Sequence, residues 1–348
     1  MSKKTFEPIL ALDIGTQSIK TVISLPSDDH QKLLGAQKTP LEPNTIIDGR
    51  IADFDRLLDS CEDAISSTKK IAKASPKSVV IGVAGEFVKN IVSTVSYHRS
   101  SPEKPISSDE LSYIFSEVKA RTIQKTHTIF NSEELPQNSA PRVINTELIS
   151  TKIDGQSIPA PIGATGAEIE MHFFDTFLPE KDFAALEQLC TKLQLDLTSI
   201  VSEPFALAKL VLENTTKKPS ALILDVGSQK TSFALLKNGL FQNAATFNLG
   251  IDNLSKDLSI WSSSMAIALE SLREKTLPAE ILLAGGGALN SDFQEQLILS
   301  DWYEKLPFVS RPIIDLISVS ELSEFANVSS LDESFLTALG LLHVSQAH

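Results

Sequence analysis

One short pattern occurs twice in this chain, and it constrains the fold more than any other feature. Residues 9–25 read ILALDIGTQSIKTVISL, and residues 221–236 read ALILDVGSQKTSFALL. In each copy an apolar run that favours a β-strand ends in Asp, an aliphatic residue and Gly. A second strand-like run follows after Thr or Ser and Gln. The two copies predict two β-hairpins of the same design, one in each half of the chain.

Each predicted turn has the residue types of a phosphate clamp. Gly15 and Gly227 let backbone N–H groups approach a ligand, and Asp13 and Asp225 are carboxylates that can hold a hydrated Mg²⁺. One such hairpin alone is a weak indication, because Gly after a strand is ordinary turn chemistry. Two copies that face each other across a cleft would grip one nucleotide. Hydroxyl and amide donors beside the turns are supplied by Thr16, Gln17, Ser228 and Gln229.

Two further segments favour a nucleotide site. Residues 281–290 read ILLAGGGALN and predict a buried strand followed by glycines. Glycine lets the backbone approach a flat ligand such as adenine and ribose, and the predicted contacts are Gly285, Gly286, Gly287 and Ala288. Residues 202–212 read SEPFALAKLVL and place Glu203 and Pro204 at the start of a helix.

Taken in order, these segments resemble the actin-like ATPase superfamily, which includes actin, heat-shock chaperone ATPases and sugar kinases. Within it the chain is most similar to the bacterial cell-division protein FtsA, and next to the pilus-assembly protein PilM. A last helix, FLTALGLL at 335–342, fits the same order. The stretches that carry the closer resemblance are IIDGRIADFDRLLDSCEDAI (46–65), VVIGVAGEFVKNIVST (79–94), PISSDEL (105–111), DGQSIPAPIGATGAEIE (154–170) and GIDNLSKDL (250–258). The last stretch departs from the FtsA motif, with Ile251 replacing a Gly and Ser255 replacing Thr.

The resemblance implies an α/β, actin-like (ribonuclease H-like) duplicated fold with an inserted small α+β subdomain of the SHS2 type. The expected segments are residues 1–84 and 175–213 for the first domain, 85–174 for the insert, and 214–348 for the second domain. The last helix is expected to pack back on the first domain. Apolar spacing independently predicts a helix over 53–73, with Asp53 as its N-cap.

The pattern changes inside the expected insert. Strand-like runs at Phe87–Val95, Val143–Lys152 and Glu168–Phe174 surround one helix near Asp109–Gln124, which Ser107 or Ser108 can cap. This mixture predicts a small α+β unit.

FtsA and actin carry a further subdomain between the second hairpin and the adenosine strand. Here we predict a single helix, Met265–Lys275, between Asp257 and Ile281, so that subdomain is expected to be missing. Its absence puts tight ATP binding and actin-like polymerisation in question. The chain stops at LLHVSQAH, and we expect no terminal amphipathic helix that inserts into a membrane, an ending more like that of PilM.

The resemblance also implies ATP and Mg²⁺ as cofactors, with Asp13 and Asp225 facing the metal and Gly250 near the nucleotide. Lys20 has the spacing of actin's phosphate-contacting lysine, and an exposed strand residue is the equally weighted alternative. Glu203 matches the residue that orients the attacking water, or it only stabilises a helix N-terminus. Gln229 stands where relatives often keep Gly, and their later Asp is lacking. We therefore expect at most a slow ATPase.

The composition is that of an ordinary soluble protein, with 348 residues of which 42% are hydrophobic and 22% charged. The net charge of −13 argues against nucleic acid as a partner and against adhesion to an anionic membrane, although solubility alone also explains it. No run approaches the roughly 20 apolar residues of a membrane span, and the start MSKKTFEP lacks the apolar core of a signal peptide. We expect a cytoplasmic protein without direct membrane insertion. Recruitment to the inner face of the membrane by a partner stays open.

The cysteines and the tryptophans are interpreted as residues of the folded core. Cys61 and Cys190 lie in apolar helical patterns, which favours buried free thiols over a disulfide or a metal pair. Trp261 and Trp302 are predicted core residues.

Four functions remain open at this point. The first is an FtsA-like ATP-binding scaffold in cell division, which contacts a tubulin-like ring protein and membrane proteins. The second is a PilM-like adaptor that docks the cytoplasmic tail of a pilus or secretion membrane protein. The third is a small-molecule kinase, which the FtsA-like insert disfavours. The fourth is a degenerate scaffold without nucleotide turnover, and self-association is open in every case.

Overall fold

The structure is a computed structural model that describes residues 6–27, 30–126, 141–214, 220–253, 258–270, 272 and 274–345, with no side chains described for 118–126. Ser255 and Asp257, named above, lie outside the described residues.

Strands and helices alternate along most of the chain. The strands are β1 (Ile9–Ile14), β2 (Ser18–Pro26), β3 (Gln31–Pro40), β4 (Ile46–Ile47), β5 (Arg50–Ile51), β6 (Ser78–Val83), β7 (Lys89–His98), β8 (Arg142–Ile153), β9 (Gln156–Ser157), β10 (Glu168–Leu178), β11 (Asp196–Ser202), β12 (Ala221–Val226), β13 (Thr231–Lys237), β14 (Leu240–Phe247), β15 (Glu280–Ala284), β16 (Ile313–Leu316) and β17 (Phe325–Ala326). The α-helices are α1 (Phe54–Ala72), α2 (Ser108–Thr126), α3 (Glu180–Lys192), α4 (Glu203–Asn214), α5 (Ser259–Glu270), α6 (Ser291–Leu299) and α7 (Leu336–Val344).

Two mixed sheets repeat the same arrangement. Among the described residues, one sheet has the order β11-β6-β1-β2-β3-β17, and the other has the order β14-β13-β12-β15-β16. In each, an antiparallel hairpin (β1–β2 or β12–β13) continues into a third antiparallel strand. The first strand of the hairpin also pairs in parallel with a later strand, β6 or β15. The duplication predicted from the repeated motif is therefore present in the topology.

Apolar faces of the helices close both sheets. Asp53 caps α1 as predicted, since its carboxylate accepts from the backbone N–H of Arg56 at 3.1 Å. Helix α7 is almost wholly buried and packs against α4 and β1. The predicted core roles of Trp261 and Trp302 are confirmed, and the two rings meet edge to face at 5.3 Å. Cys61 and Cys190 are buried free thiols, as predicted.

The chain divides into two compact units. One comprises Met1–Val88 and Ala184–His348 and contains both mixed sheets, and the other is Lys89–Phe183. In the second unit the antiparallel strands have the order β7-β10-β8-β9. Helix α2 packs on the sheet around a core made of Ile106, Ile114, Ile153, Ile169, Met171 and Phe173. Ser107 caps α2, as one of the two predicted residues, by accepting from the N–H of Glu110 at 3.1 Å.

The helix predicted at Met265–Lys275 was wrong at both ends. The structure places it at Ser259–Glu270, because Trp261 is already on its buried face with Met265 and Leu269. Serines 262–264 hid this first turn in the sequence, and the Ser263 hydroxyl donates to the carbonyl of Ser259 at 2.7 Å. None of the described helices is long and apolar enough to cross a membrane.

His343 links the ends of α7 and α4. Its Nε2 lies 3.1 Å from a carboxylate oxygen of Glu213, and its Nδ1 lies 2.5 Å from one of Glu324. Glu324 also accepts from the side chain of Asn214 at 3.0 Å and from that of Gln31 at 2.7 Å. Burial lowers the pKa of His343, but the two carboxylates outweigh it and raise the pKa from 6.5 to about 9.

This histidine predicts that the protein loses stability as the pH rises through about 9. A raised histidine pKa stabilises the fold fully below the unfolded value near 6.5, and that contribution disappears as the folded pKa is passed. We expect the free energy of unfolding to fall by roughly 2–3 kcal/mol between pH 6.5 and 9.5. Urea unfolding across this range measures it. The variant His343→Gln should flatten the profile, and an equally steep profile in that variant would contradict the assignment.

Candidate functional site

The two hairpin turns have the same backbone design. The N–H of Gly15 donates to the carbonyl of Ser18 at 3.0 Å, and the N–H of Gly227 donates to that of Lys230 at 2.9 Å. In register, Asp13 lies opposite Lys20 on the neighbouring strand, and Asp225 lies opposite Ser232. Equivalent aspartates thus stand at equivalent points of the two sheets.

The turns also touch each other. The hydroxyls of Thr16 and Ser228 are 2.5 Å apart, and the amide of Gln17 donates to Asp252 at 2.5 Å. The N–H groups of Ile251 and Asp252 donate to the carbonyls of Gly227 and Ser228, both at 2.9 Å. The segment after β14 is therefore held against the second turn by two backbone hydrogen bonds.

A cleft of about 460 Å³ lies beneath these turns. Its volume is in the range of small-molecule sites in proteins. Both hairpins, the start of α4, the strand β3 and the loop after β15 contribute to it. The lining consists of Asp13, Gly15, Thr16, Gln17, Ser18, Lys20, Lys38, Pro40, Glu203, Asp225, Gly227, Ser228, Lys230, Ser232, Ile251, Gly285, Gly286, Gly287, Ser334 and Thr337.

Two lysine–carboxylate pairs stand in this cleft. Lys20 Nζ lies 2.8 Å from Asp13 Oδ2, and the side chains are only 14% and 4% exposed. Burial lowers the pKa of Lys20, but Asp13, with the charges of Asp225 and Glu203, outweighs burial, so the pKa is raised overall. Lys230 Nζ lies 3.0 Å from Glu203 Oε2 and 3.1 Å from the carbonyl of Ala84.

Glu203 is a buried carboxyl whose pKa is strongly raised. It is the first residue of α4 and is 3% exposed, and its Oε1 is buried without a hydrogen-bond partner in the described structure. Loss of water raises its pKa to about 7, Lys230 opposes this, and the charges of Asp13 and Asp225 add to it. A carboxyl with a pKa near neutral can exchange protons under working conditions.

Asp225 is the third carboxylate of the cleft, beside Asp13 and Glu203. Its Oδ2 accepts from the Thr337 hydroxyl at 3.0 Å. Burial and the charge of Asp13 raise its pKa, and Lys20 and Lys230 oppose this. The predicted Mg²⁺ contacts of Asp13 and Asp225 stay a prediction, and in the structure both carboxylates already have partners within the protein.

The three glycines after β15 differ in how much space the surrounding structure leaves for a side chain. Gly285 has φ +86°, and a Cβ there would lie 2.2 Å from Asp225 Oδ1. A Cβ on Gly287 would lie 2.7 Å from the Val226 carbonyl. A Cβ on Gly286 would meet only the Ser334 Cβ, at 3.8 Å. The fold itself therefore excludes a side chain at Gly285 and Gly287, whereas Gly286 leaves open space beside the cleft.

Most predicted contact residues line the cleft, and three do not. Ala288 is fully buried, and Gln229 is exposed on the outside of its turn. Gly250 lies behind the second turn, where a Cβ would be 2.4 Å from the carbonyl carbon of Ser228. The close approach of the Ser228 backbone therefore explains why residue 250 is a glycine.

Sequence reasoning missed several lining residues, above all two lysines. Lys38 lies directly opposite Lys20 in the pairing of β2 with β3, and its Nζ is 3.5 Å from the Ser334 hydroxyl. Lys230 lies in the second turn at the position that Ser18 holds in the first. An alignment of the two motif copies, DIGTQSIK and DVGSQKTS, shows this difference. The others missed are Ser18, Pro40, Ser232, Ile251, Ser334 and Thr337.

The duplicated sheets and the cleft between paired hairpins define the class: the chain has the fold of the actin-like ATPases. A solved structure described as a PilM–PilN type IV pilus biogenesis complex superposes with a TM-score of 0.69 and 15% identity, covering 97% of this chain and 98% of that one. No family model matches the sequence.

Among curated proteins the chain is similar to the cell-division protein FtsA. It is 23% identical to FtsA of Bacillus subtilis over 73% of this chain and 54% of that protein. For FtsA of Streptococcus pneumoniae the identity is 24%, over 71% and 51%. The chain thus spans about half the length of these relatives. The predicted resemblance to the actin-like FtsA/PilM group is confirmed.

Proposed function

We propose that this protein is an actin-like scaffold that binds ATP in the cleft between its two hairpins. The observation that carries the proposal is that the lining of one cleft includes three lysines, Lys20, Lys38 and Lys230, together with the open Gly286 position. Lysines are point charges suited to phosphate, and bare backbone lets a flat base approach.

Each part of the nucleotide has a counterpart in this proposal. Phosphates would meet the Lys20 ammonium and the turn residues Thr16 and Ser228, and the adenosine would lie along Gly286. Asp13 and Asp225 are the predicted contacts of Mg²⁺ through water. Glu203 would orient the attacking water, but Lys230 engages one of its oxygens at 3.0 Å. We therefore propose slow turnover at most.

We place the protein in the cytoplasm as an FtsA-like scaffold of cell division that recruits partner proteins at the membrane, among them a tubulin-like division protein. The curated relatives support this role. The unit Lys89–Phe183, with its antiparallel sheet and the long helix α2, would be the SHS2-type insert that presents a surface to partners. The second-half subdomain would be missing, which would limit filament formation.

A PilM-like adaptor is the second candidate. The share of each chain that is matched favours this candidate. The superposition on the PilM–PilN complex covers 97% of this chain and 98% of that one, whereas the sequence match to each FtsA relative covers only about half of that relative. Its partner would be the cytoplasmic tail of a membrane protein. Pull-down from a native membrane extract distinguishes the two roles, with a tubulin-like protein recovered in the first and a pilus or secretion membrane protein in the second.

ATP should raise the melting temperature of the purified protein. A ligand at about 100 times its Kd stabilises the folded state by about 2.7 kcal/mol, which corresponds to a shift of several degrees for a protein of this size. Differential scanning calorimetry with ATP, with AMP and with orthophosphate measures this. We expect ATP to exceed both controls. No shift at millimolar ATP, with or without Mg²⁺, would overturn the proposal in favour of a degenerate scaffold.

A further inference from the structure

The two hairpins each carry one lysine near the turn, at different positions. In the first hairpin Lys20 lies on β2, opposite Asp13. The equivalent place in the second hairpin is Ser232, opposite Asp225. The lysine of the second hairpin is instead Lys230, within the turn, where the first hairpin has Ser18. The two hairpins therefore share the same backbone arrangement but carry their lysine at different positions.

This shift sends the second ammonium across the cleft. Lys230 comes from the second sheet, yet its Nζ contacts Glu203 at the start of α4 and the carbonyl of Ala84 just after β6. The Lys230 side chain is 13% exposed and that of Glu203 is 4% exposed. Lys230 also lines the cleft. It is a nearly buried cation held beside the space that a ligand would fill.

The carboxylates of the cleft are already engaged by the protein. Asp13 has Lys20, Glu203 has Lys230, and Asp225 has the Thr337 hydroxyl. Across the part of the chain that the structure describes, no three His, Cys, Asp or Glu side chains are grouped so that they could hold a metal ion. A divalent cation held directly by Asp13 or by Glu203 would have to displace an ammonium at 2.8 or 3.0 Å. Neither of these two carboxylates fits a directly bound resident metal.

We propose that Lys230 is the built-in cation of this site, so that a nucleoside polyphosphate binds as the metal-free anion. The inference rests on the proposed function, since it concerns the same cleft. On binding, the Lys230 ammonium would turn from Glu203 toward the phosphates and join Lys20 and Lys38. Mg²⁺ normally neutralises part of the charge of a polyphosphate. Once Lys230 has left Glu203, its ammonium and that of Lys38 can do the same without it, whereas the charge of Lys20 is balanced by Asp13 at 2.8 Å.

Glu203 can tolerate the loss of its partner. Its pKa is already raised to about 7 by burial and by the neighbouring carboxylates. It would take up a proton as Lys230 leaves, so no unpaired buried charge remains. In this arrangement Glu203 is neutral when the nucleotide is bound, which also weakens it as a base toward water.

The test is the affinity for ATP by isothermal titration calorimetry, in 5 mM Mg²⁺ and in EDTA. For the unmodified protein we expect the two dissociation constants to agree within about threefold. Lys230→Met keeps the length and removes the charge, and it should weaken binding in EDTA by at least about tenfold, as expected for one buried charge. Binding in Mg²⁺ should weaken less. Lys230→Arg is the matched control that keeps the charge and should keep the affinity in EDTA.

A second variant moves the affinity in the opposite direction. Glu203→Gln removes the competitor for the ammonium and should tighten binding in EDTA. Circular dichroism and the melting temperature establish that each variant is folded. Binding by the unmodified protein only when Mg²⁺ is present would overturn the role of Lys230 and leave the proposed function standing. No binding in either buffer would overturn the proposed function itself.

Discussion

Gly286→Val should abolish ATP binding while the protein stays folded. The valine Cβ has room within the protein, since only the Ser334 Cβ lies near it, at 3.8 Å. The position has no left-handed backbone to strain, because Gly286 begins a short 3₁₀ turn and is not among the glycines with positive φ. The branched side chain would instead occupy the space beside the cleft. We expect at least a 100-fold loss of affinity, about 3 kcal/mol, with the melting temperature nearly unchanged.

The neighbouring glycine provides the contrast. Gly285→Ala adds a smaller side chain but places its Cβ 2.2 Å from Asp225 Oδ1, at a residue with φ +86°. We expect this variant to lose both stability and binding. Calorimetric titration and thermal melting of both variants measure the two effects. Unchanged ATP affinity in Gly286→Val would show that the nucleotide does not lie along the triple glycine.

Arg99→Met should destabilise the unit Lys89–Phe183 by about 1–3 kcal/mol. The Arg99 side chain is 1% exposed, and its guanidinium binds both oxygens of Glu110, with Nε at 2.8 Å and Nη2 at 2.9 Å. It also donates to the carbonyls of Gly166 and Lys104, at 3.0 and 2.9 Å. Glu110 holds the pKa of Arg99 above its usual value, and Arg99 in turn lowers that of Glu110. Methionine satisfies none of these acceptors, and those that stay buried would be left unpaired.

Arg142→Met is the matched control in the same unit. Arg142 pairs with Glu180 at 2.7 Å, but the two side chains are 52% and 38% exposed. Exposed pairs of this kind contribute about 0–1 kcal/mol. Amide hydrogen exchange in β7 and β10 reports the opening free energy of this unit in the full chain. A cost for Arg99→Met no larger than for Arg142→Met would contradict the account.

The sequence predicted the elements whose signals are local. The hairpins followed from an apolar run, an aspartate and a turn glycine, and the N-cap Asp53 followed from the apolar face of its helix. Glu203 was placed at a helix start, where the structure has it. In each case, neighbouring residues along the chain determine the structure.

The missed residues depend on contacts that the chain makes over long distances. Lys230 reaches Ala84, which precedes it by 146 residues, because two sheets meet at the cleft. Lys38 lines the cleft because β3 pairs with β2 in a particular register, which a single strand does not reveal. Gly250 was assigned to the ligand from its motif, which stays a prediction, and in the structure it packs against the backbone of Ser228. A motif shows that a glycine is required without showing which neighbour requires it.

Photo-crosslinking with 8-azido-ATP tests the central claim, that the nucleotide lies in the cleft with its base near the triple glycine. After irradiation and proteolysis, mass spectrometry identifies the labelled peptide. The account predicts labelling in the segment around 281–290 that excess ATP suppresses. Labelling confined to the Lys89–Phe183 unit, or labelling that excess ATP leaves unchanged, would contradict it.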